Sequence, residues 1–376
     1  MSDSATKPVD LPPVEALRSP SHTPLLLTTN AGLEPVVAAE LRERAEQAGQ
    51  TLGRIDEAPF GSGGYVLFDS PATAEQCLEL ARTLRSIHHV LSPLYAFSLP
   101  ESRDAQLAVI RATVATLDVA ALTTARSFRV TARRHGDHNF RSVDVQQAVG
   151  GPLQRRYGTA VNLENFDAEV RVDVQHNRCL LGIMHTRTSL SRRLEHLSRP
   201  RAALKPNVAY ALLRFAEVPT GPETVLDPYC GSGTVLWEAQ KLWPGARLVG
   251  SDWAAESISV ARSNARLQGA RANVELFQAD GRDLGGLLPG QHVDLVVTNP
   301  PFGVKHGRGM DFHRFYRTML EQLHSLLIPG GRAVLLIFKR KALTSALHDM
   351  RGFAIRREHR IEVGGIYPRV VVLDRK

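Results

Sequence analysis

The run Asp294-Leu295-Val296-Val297-Thr298-Asn299-Pro300-Pro301-Phe302-Gly303 carries the densest chemistry in the chain. A hydrophobic stretch stops abruptly at Asn-Pro-Pro-Phe. Each proline fixes its own φ, and Pro301 also restricts Pro300 before it, so the turn is stiff. It presents one amide side chain, two carbonyls that no helix consumes, and one aromatic face. A planar amine needs this set: acceptors for its N–H groups and a ring against its base. The run implies methyl transfer onto an exocyclic or amide nitrogen. A Pro-Pro turn that only ends a strand is the bland alternative.

Upstream, Glu223-Thr224-Val225-Leu226-Asp227-Pro228-Tyr229-Cys230-Gly231-Ser232-Gly233-Thr234 reads as a strand, an acidic turn, a glycine loop and a helix start. Glycines allow the tight turn and close backbone approach to a ligand. In a dinucleotide enzyme this place holds pyrophosphate. Here Asp227 stands at the strand end and would repel a phosphate, and Leu236 takes the place of the third glycine. A carboxylate there suits the cationic methionine part of S-adenosylmethionine (SAM). The next strand, Arg247–Asp252, ends in Asp252, 19 residues after Gly233. An acid at that place can accept both ribose hydroxyls. A third strand, Asn273–Asp280, ends in Asp280, suited to the adenine amine. Each aspartate alone would be an ordinary helix cap after a strand. Three at successive strand ends, followed by Asn-Pro-Pro-Phe at the fourth, agree with ligands gathering at the carboxyl ends of an open α/β sheet.

On these residues, 200–376 resembles a class I SAM-dependent methyltransferase of the Asn-Pro-Pro-Phe/Tyr branch. Arg199 through Asn207 is similar to the helix that closes over the methionine moiety in that family. Ala354–Gly364 and Tyr367–Asp374 resemble its antiparallel last pair, around Gly364-Gly365. The resemblance implies SAM as cofactor, held by Asp227, Tyr229, Gly231, Ser232, Gly233, Thr234, Asp252, Trp253, Asp280, Gly281 and Asn299. It implies catalysis at Asn299, Pro300 and Phe302, with no metal.

Three hundred and seventy-six residues, 43% of them hydrophobic, suggest two or three domains. No apolar run reaches the ~18 residues of a membrane helix. The first 23 residues lack the basic start and apolar core of a secretory signal and read as a disordered tail. Cys77, Cys179 and Cys230 form neither a disulfide framework nor a zinc spacing, which leads to the expectation of a cytoplasmic protein. Net charge is +8, unevenly spread. Residues 1–100 hold 7 Lys/Arg against 12 Asp/Glu, residues 126–160 hold 7 against 2, and residues 187–205 hold 6 against 1. Clustered positive charge suits a phosphate backbone.

The front half alternates short strands and helices: a strand at Leu25–Thr29, a helix to Ala48, a strand at Gly64–Phe68, a helix at 71–84 and a strand at Val90–Phe97. This is the pattern of a small ferredoxin-like unit. Then follow Ser127–Arg134, an alternating strand with basic residues, a helix at Ser142–Tyr157, and strands at Glu169–Val174 and Cys179–Met184. Phe-Arg-Val-x-Ala-Arg-Arg, Asn-Phe-Arg-Ser, the 161–167 run Val-Asn-Leu-Glu-Asn-Phe-Asp and the closing Leu-Gly-Ile strand together resemble a THUMP domain, an RNA-binding module.

The expected fold is therefore α/β, a Rossmann-like class I methyltransferase domain preceded by a ferredoxin-like α+β unit and a THUMP domain. The expected boundaries are a tail at 1–23, the ferredoxin-like domain at 24–95, THUMP at 96–187, a linker at 188–200 and the methyltransferase domain at 201–376. The combination is similar to the RNA guanine-N2 methyltransferases, most of all those acting on guanosine 6 of tRNA. It implies tRNA as partner and a monomeric enzyme away from membranes. Arg129, Arg133, Arg134, Arg141, Arg155, Arg192, Arg193, Lys305 and Arg308 are the candidate RNA contacts, with Arg314 beside them. Guanosine 10 of tRNA, ribosomal RNA, DNA adenine and protein glutamine are alternative acceptors. A degenerate RNA-binding protein and a dehydrogenase are the rival classes. The first is opposed by the intact Asp227, Asp252, Asp280 and Asn299, the second by Asp227 and the missing glycine.

Overall fold

The computed structural model describes residues 22–194, 198, 203–218, 220–269, 273–285, 288, 292–303 and 309–376. These form two units. The first comprises the segment up to Thr29, Val37–Leu84 and His88–Leu190. Its strands are Thr23–Thr28 (β1), Ile55–Asp56 (β2), Tyr65–Ser70 (β3), His89–Ser98 (β4), Ser127–His135 (β5), Ala160–Val161 (β6), Ala168–Gln175 (β7) and Arg178–Met184 (β8). They make one sheet in the order β2-β3-β1-β4-β8-β7-β5-β6. Its helices are Glu34–Gln47 (α1, whose first turn belongs to the second unit), Ala74–Arg82 (α2), Arg103–Thr116 (α3), Ala121–Thr124 (α4) and Ser142–Tyr157 (α5). Residue 95, the expected end of the ferredoxin-like part, lies within β4. That strand pairs with β1 on one side (Leu26 with Leu91) and with β8 on the other (Phe97 with Cys179).

The alternation of β7 explains its burial. Val170, Val172 and Val174 join Phe128 and Val130 of β5 in a core with α3 and α5. The intervening Glu169, Arg171 and Asp173 are also buried, and neutralise one another or a neighbour. Arg171 Nε and Nη2 donate to Asp173 at 2.8 and 3.0 Å, and the Tyr65 hydroxyl donates to the same carboxylate at 2.7 Å. Such charges are tolerated inside only when paired.

The second unit comprises Asn30–Val36, Arg85–Ile87 and Ser191–Lys376. Its helices are Pro206–Phe215 (α6), Thr234–Leu242 (α7), Ala255–Leu267 (α8), Phe312–Leu326 (α9) and Arg340–Met350 (α10). Its strands are Thr224–Asp227 (β9), Arg247–Asp252 (β10), Val274–Gln278 (β11), Val293–Thr298 (β12), Leu327–Ile337 (β13), Phe353–Arg360 (β14) and Arg369–Arg375 (β15). The order is β11-β10-β9-β12-β13-β15-β14. The first five run parallel, while β15 and β14 pair antiparallel. Both faces are covered: Leu295 and Val297 of β12 enter one core cluster, Val293 and Val296 the other. That is why the strand reads as a continuous hydrophobic run. The last two strands are as expected within a few residues, with Val363 and Ile366 bridging around Gly364-Gly365. In the 199–207 stretch, residues 199–202 lie outside the described residues, and α6 begins with Pro206 in its first turn.

Two pieces of the front half complete this unit. Leu33 and Val36 enter its core. Arg85 donates to Glu238 of α7 at 2.6 and 3.1 Å, and Arg193 donates to the same carboxylate at 2.9 and 3.0 Å. Glu238 is fully buried. Asn30 links Asn207 (2.7 Å) to Glu362 (3.0 Å). Among the described residues no helix is long and apolar enough to cross a membrane.

Candidate active site

The carboxyl ends of β9, β10 and β12 bring most of the predicted residues together. Asp227 ends β9 and is buried. Its Oδ1 accepts from the Thr298 hydroxyl at 2.6 Å and from the Tyr229 N–H at 3.2 Å. Burial pushes this carboxyl up to about 7, against those two hydrogen bonds, with Asp252 adding to the rise. Because β9 and β12 are neighbours in the sheet, the glycine loop and Asn-Pro-Pro-Phe leave it side by side.

The loop is shaped by its glycines and by α7 behind it. Gly231 and Gly233 have φ of +54° and +86°, values that favour glycine. A Cβ on Gly231 would meet nothing within 4 Å, so its backbone faces open space. A Cβ on Gly233 would come within 2.6 Å of the Trp237 indole. Trp237 is buried and donates from Nε1 to the Ser232 carbonyl at 2.9 Å. Asn264 of α8 donates to the same carbonyl at 3.0 Å. Leu236, in place of a third glycine, packs against Gly250 of β10, where a Cβ would lie 2.6 Å from its Cδ1. The small residue needed for close helix–strand approach has moved to the strand. Thr234 is buried as the first residue of α7.

The Asp252 carboxylate accepts from Gly231 N–H and Ala254 N–H, both at 3.0 Å. It thus braces the glycine loop and opens α8, while each oxygen keeps a lone pair. Trp253 beside it is 73% exposed. Asp280 lies just beyond β11, and Arg282 grips it at 2.6–3.1 Å, holding its carboxyl below the usual range. Gly281 leaves room for the Tyr229 ring, which a Cβ would approach to 2.6 Å.

Three buried oxygens here have no hydrogen-bond partner among the described residues: Ser232 Oγ, the Tyr229 hydroxyl and Asn299 Oδ1. Unsatisfied buried polar atoms are costly, and these three belong to the loops that leave the carboxyl ends of β9 and β12, where a polar ligand can meet them; others, such as Asn207 Oδ1 and Gln240 Oε1, lie elsewhere in the unit. An open glycine cradle, a buried carboxylate and orphaned oxygens fit SAM. Phe302 sits 6.3 Å, centroid to centroid and tilted by 30°, from Phe338, which follows β13 and is 40% exposed. Lys339 Nζ lies 5.8 Å from the Phe338 ring. Thr298, Trp237, Asn264 and Phe338 escaped the sequence reading. Thr298 directly precedes Asn299 and Trp237 stands four residues after Gly233, while Asn264 and Phe338 lie farther from the motifs along the chain.

Comparison with known proteins agrees with this geometry. Residues 196–369 match the family described as RMKL-like, methyltransferase domain, and residues 105–184 match the THUMP domain. A tRNA (guanine(6)-N2)-methyltransferase of Thermus thermophilus is 38% identical over 363 residues, spanning 96% of this chain and 99% of the relative. The chain belongs to the THUMP-domain guanine-N2-methyltransferase family. The crystal structure of TrmN from Thermus thermophilus superimposes with a TM-score of 0.71 at 35% identity, covering 94% of this chain and 99% of that one. A tRNA (guanine(6)-N2)-methyltransferase of Archaeoglobus fulgidus is 25% identical over 92% of this chain and 90% of the relative. As a member of this family the chain is a methyltransferase with SAM as its cofactor.

The family's RNA-binding module contains most of the basic candidates, and the structure sorts them. Arg129 stacks on Phe166 at 4.0 Å and pairs with Glu169 at 2.8 Å. Arg141 opens α5, its side chain 3.6 Å from Asp144. Arg133, Arg134 and Arg155 are exposed. In the other unit the Arg193 guanidinium pairs with the buried Glu238; Arg192 beside it is exposed. Arg314 is exposed on α9. Lys305 and Arg308 lie outside the described residues.

Proposed function

We propose that this chain transfers a methyl group from SAM to the exocyclic N2 amine of a guanosine in tRNA, at position 6 of the acceptor stem. The observation that carries the amine acceptor is Asn299 Oδ1, a buried oxygen without a partner at the rigid end of β12. SAM, when bound, supplies a methyl group activated by its sulfonium. The guanine amine is a poor nucleophile while its lone pair is delocalised into the ring. Asn299 Oδ1 and the Pro300 carbonyl accept its two N–H bonds, which localises that pair on nitrogen. Their fixed dipoles and the aim of the turn contribute through orientation and electrostatics. Phe302 stacks on the base. A paired base cannot enter such a turn, so the guanosine is flipped out of the stem. Gly231, Ser232, Asp227 and Asp252 hold the cofactor. The THUMP-bearing unit holds the tRNA through shape, phosphates and 2′-hydroxyls. Position 6 is supported by the names of the two relatives compared above.

Single-turnover methylation with saturating enzyme tests the assignment. Asn299→Ala is expected to slow the chemical step ~10²–10³-fold, the scale for one aligned polar group in a transition state. Its SAM affinity should stay close to wild type. Near-normal chemistry in a folded, SAM-bound Asn299→Ala would leave Asn299 as a strand-end cap and remove the amine reading. Mapping of the product nucleoside to another position would overturn guanosine 6 alone.

A further inference from the structure

We propose that Thr298 is a positioning residue of this site: its hydroxyl fixes the Asp227 carboxylate at the strand end, ready for the cationic part of the cofactor. The inference rests on the assignment of SAM to the glycine cradle. Thr298 is fully buried in a strand whose other inward positions are Val and Leu. A valine would fill the same volume, so shape does not call for threonine. A buried hydroxyl needs a partner, and this one donates to Asp227 Oδ1 at 2.6 Å, at the short end of O–H···O bonds and typical of a charged acceptor. Asn299 is the next residue, so the same bond ties down the strand end that carries the amine acceptor.

The surroundings of Asp227 say what that carboxylate is for. Among the described residues the groups that bear on it are the Thr298 hydroxyl, the Tyr229 N–H and the Asp252 carboxylate, and the Cys230 thiol also faces it. None is cationic. A buried carboxylate without a counter-ion is costly, unlike the paired Glu238 of the same unit. The sulfonium and ammonium of SAM supply the missing positive charge. Burial raises the Asp227 carboxyl to about 7, and the Thr298 hydroxyl opposes the rise. In cofactor-free protein Asp227 therefore releases its proton near neutrality, and a cationic ligand favours the ionised form. SAM affinity is then expected to grow as pH rises through about 7.

Calorimetric titration of full-length protein with SAM from pH 6 to pH 9, on wild type, Thr298→Val and Thr298→Ser, is the test. Without the hydroxyl the carboxyl rises further. Thr298→Val should bind SAM about tenfold more weakly at pH 7 for each unit of that rise, and recover towards wild type at the alkaline end. Thr298→Ser should keep the wild-type profile. Equal affinity of Thr298→Val and wild type at every pH overturns the proposal. So does an equal loss at every pH, the mark of a general packing defect. A second readout needs no cofactor. Because the folded-state carboxyl lies above its unfolded value of 3.8, its contribution to stability is present below about pH 4 and lost as pH rises towards 7. In Thr298→Val that loss should extend to higher pH. If wild type itself binds no SAM, the cradle assignment fails, and superimposable unfolding-versus-pH curves of wild type and Thr298→Val would then sink the Thr298–Asp227 link separately.

Discussion

The sheets of the two units treat buried polar groups in opposite ways. In the THUMP-bearing unit the buried carboxylates of β7 are matched, although Arg129 Nε and Gln50 Oε1 have no partner among the described residues. Arg171 and Tyr65 share Asp173, and Arg129 and Thr131 share Glu169 at 2.8 and 2.9 Å. In the methyltransferase unit the strand ends leave Asn299 Oδ1, Ser232 Oγ and the Tyr229 hydroxyl unmatched and give Asp227 no cation among the described residues. The matched network satisfies the interior of its own sheet; the unmatched oxygens stand at the strand ends of the other. Charge density alone therefore does not locate function. A basic cluster can be partly spent on internal pairing, and orphaned amide oxygens occur at Gln50, Asn207, Gln240 and Asn273 as well as at Asn299, so an orphan carries weight only through its place in the fold.

The largest test of this contrast is Asp173→Ala. It strands the Arg171 guanidinium in a buried place and should cost roughly 3–5 kcal/mol in urea unfolding. Asn299→Ala, for all its effect on turnover, removes an oxygen with no bond to lose, so its unfolding midpoint should hold or rise. A comparable loss of stability in both would erase the distinction. Next in size, Phe302→Ala should weaken capture of the flipped base by ~1–3 kcal/mol, seen as a higher KM for tRNA with SAM binding intact. The smallest effect separates the two kinds of arginine. Arg134→Ala should lower the slope of log affinity for tRNA against log salt by about 1 with stability unchanged, as for one lost phosphate contact. Arg129→Ala should act mainly on unfolding, because it uncovers Glu169. A reversed pattern would reassign Arg129 to RNA and Arg134 to a solvated face.

Much of the site was legible because it is local. A hydrophobic run closed by Asn-Pro-Pro-Phe, and strands closed by aspartates, follow from short-range rules of turn chemistry and strand parity. The glycine loop was legible for the same reason. The pairing of Arg193 with Glu238 was not legible, because Glu238 lies 45 residues away on the helix that follows the glycine loop. Helix α3 passed unnoticed although Leu107, Ile110 and Val114 recur at helical spacing; it carries no chemical motif, and its packing against α5 shows only in the fold. Arg282 was unforeseen although it stands two residues from Asp280, since an exposed ion pair leaves no hydrophobic signature.

By itself the sequence determined most of the order of elements, the two kinds of module, the cofactor class and the stiff Asn-Pro-Pro-Phe turn. Those depend on residue types and spacings within about ten positions. Only the tertiary structure decided that Asn30–Val36 and Arg85–Ile87 belong with the methyltransferase unit, supplying Leu33, Val36 and Arg85 to its core and to Glu238. It alone decided that the Thr298 hydroxyl meets Asp227, 71 residues earlier in the chain. Burial and pairing are properties of neighbours in space. The chain brings those neighbours together by packing β9 against β12, and no spacing along the sequence records it.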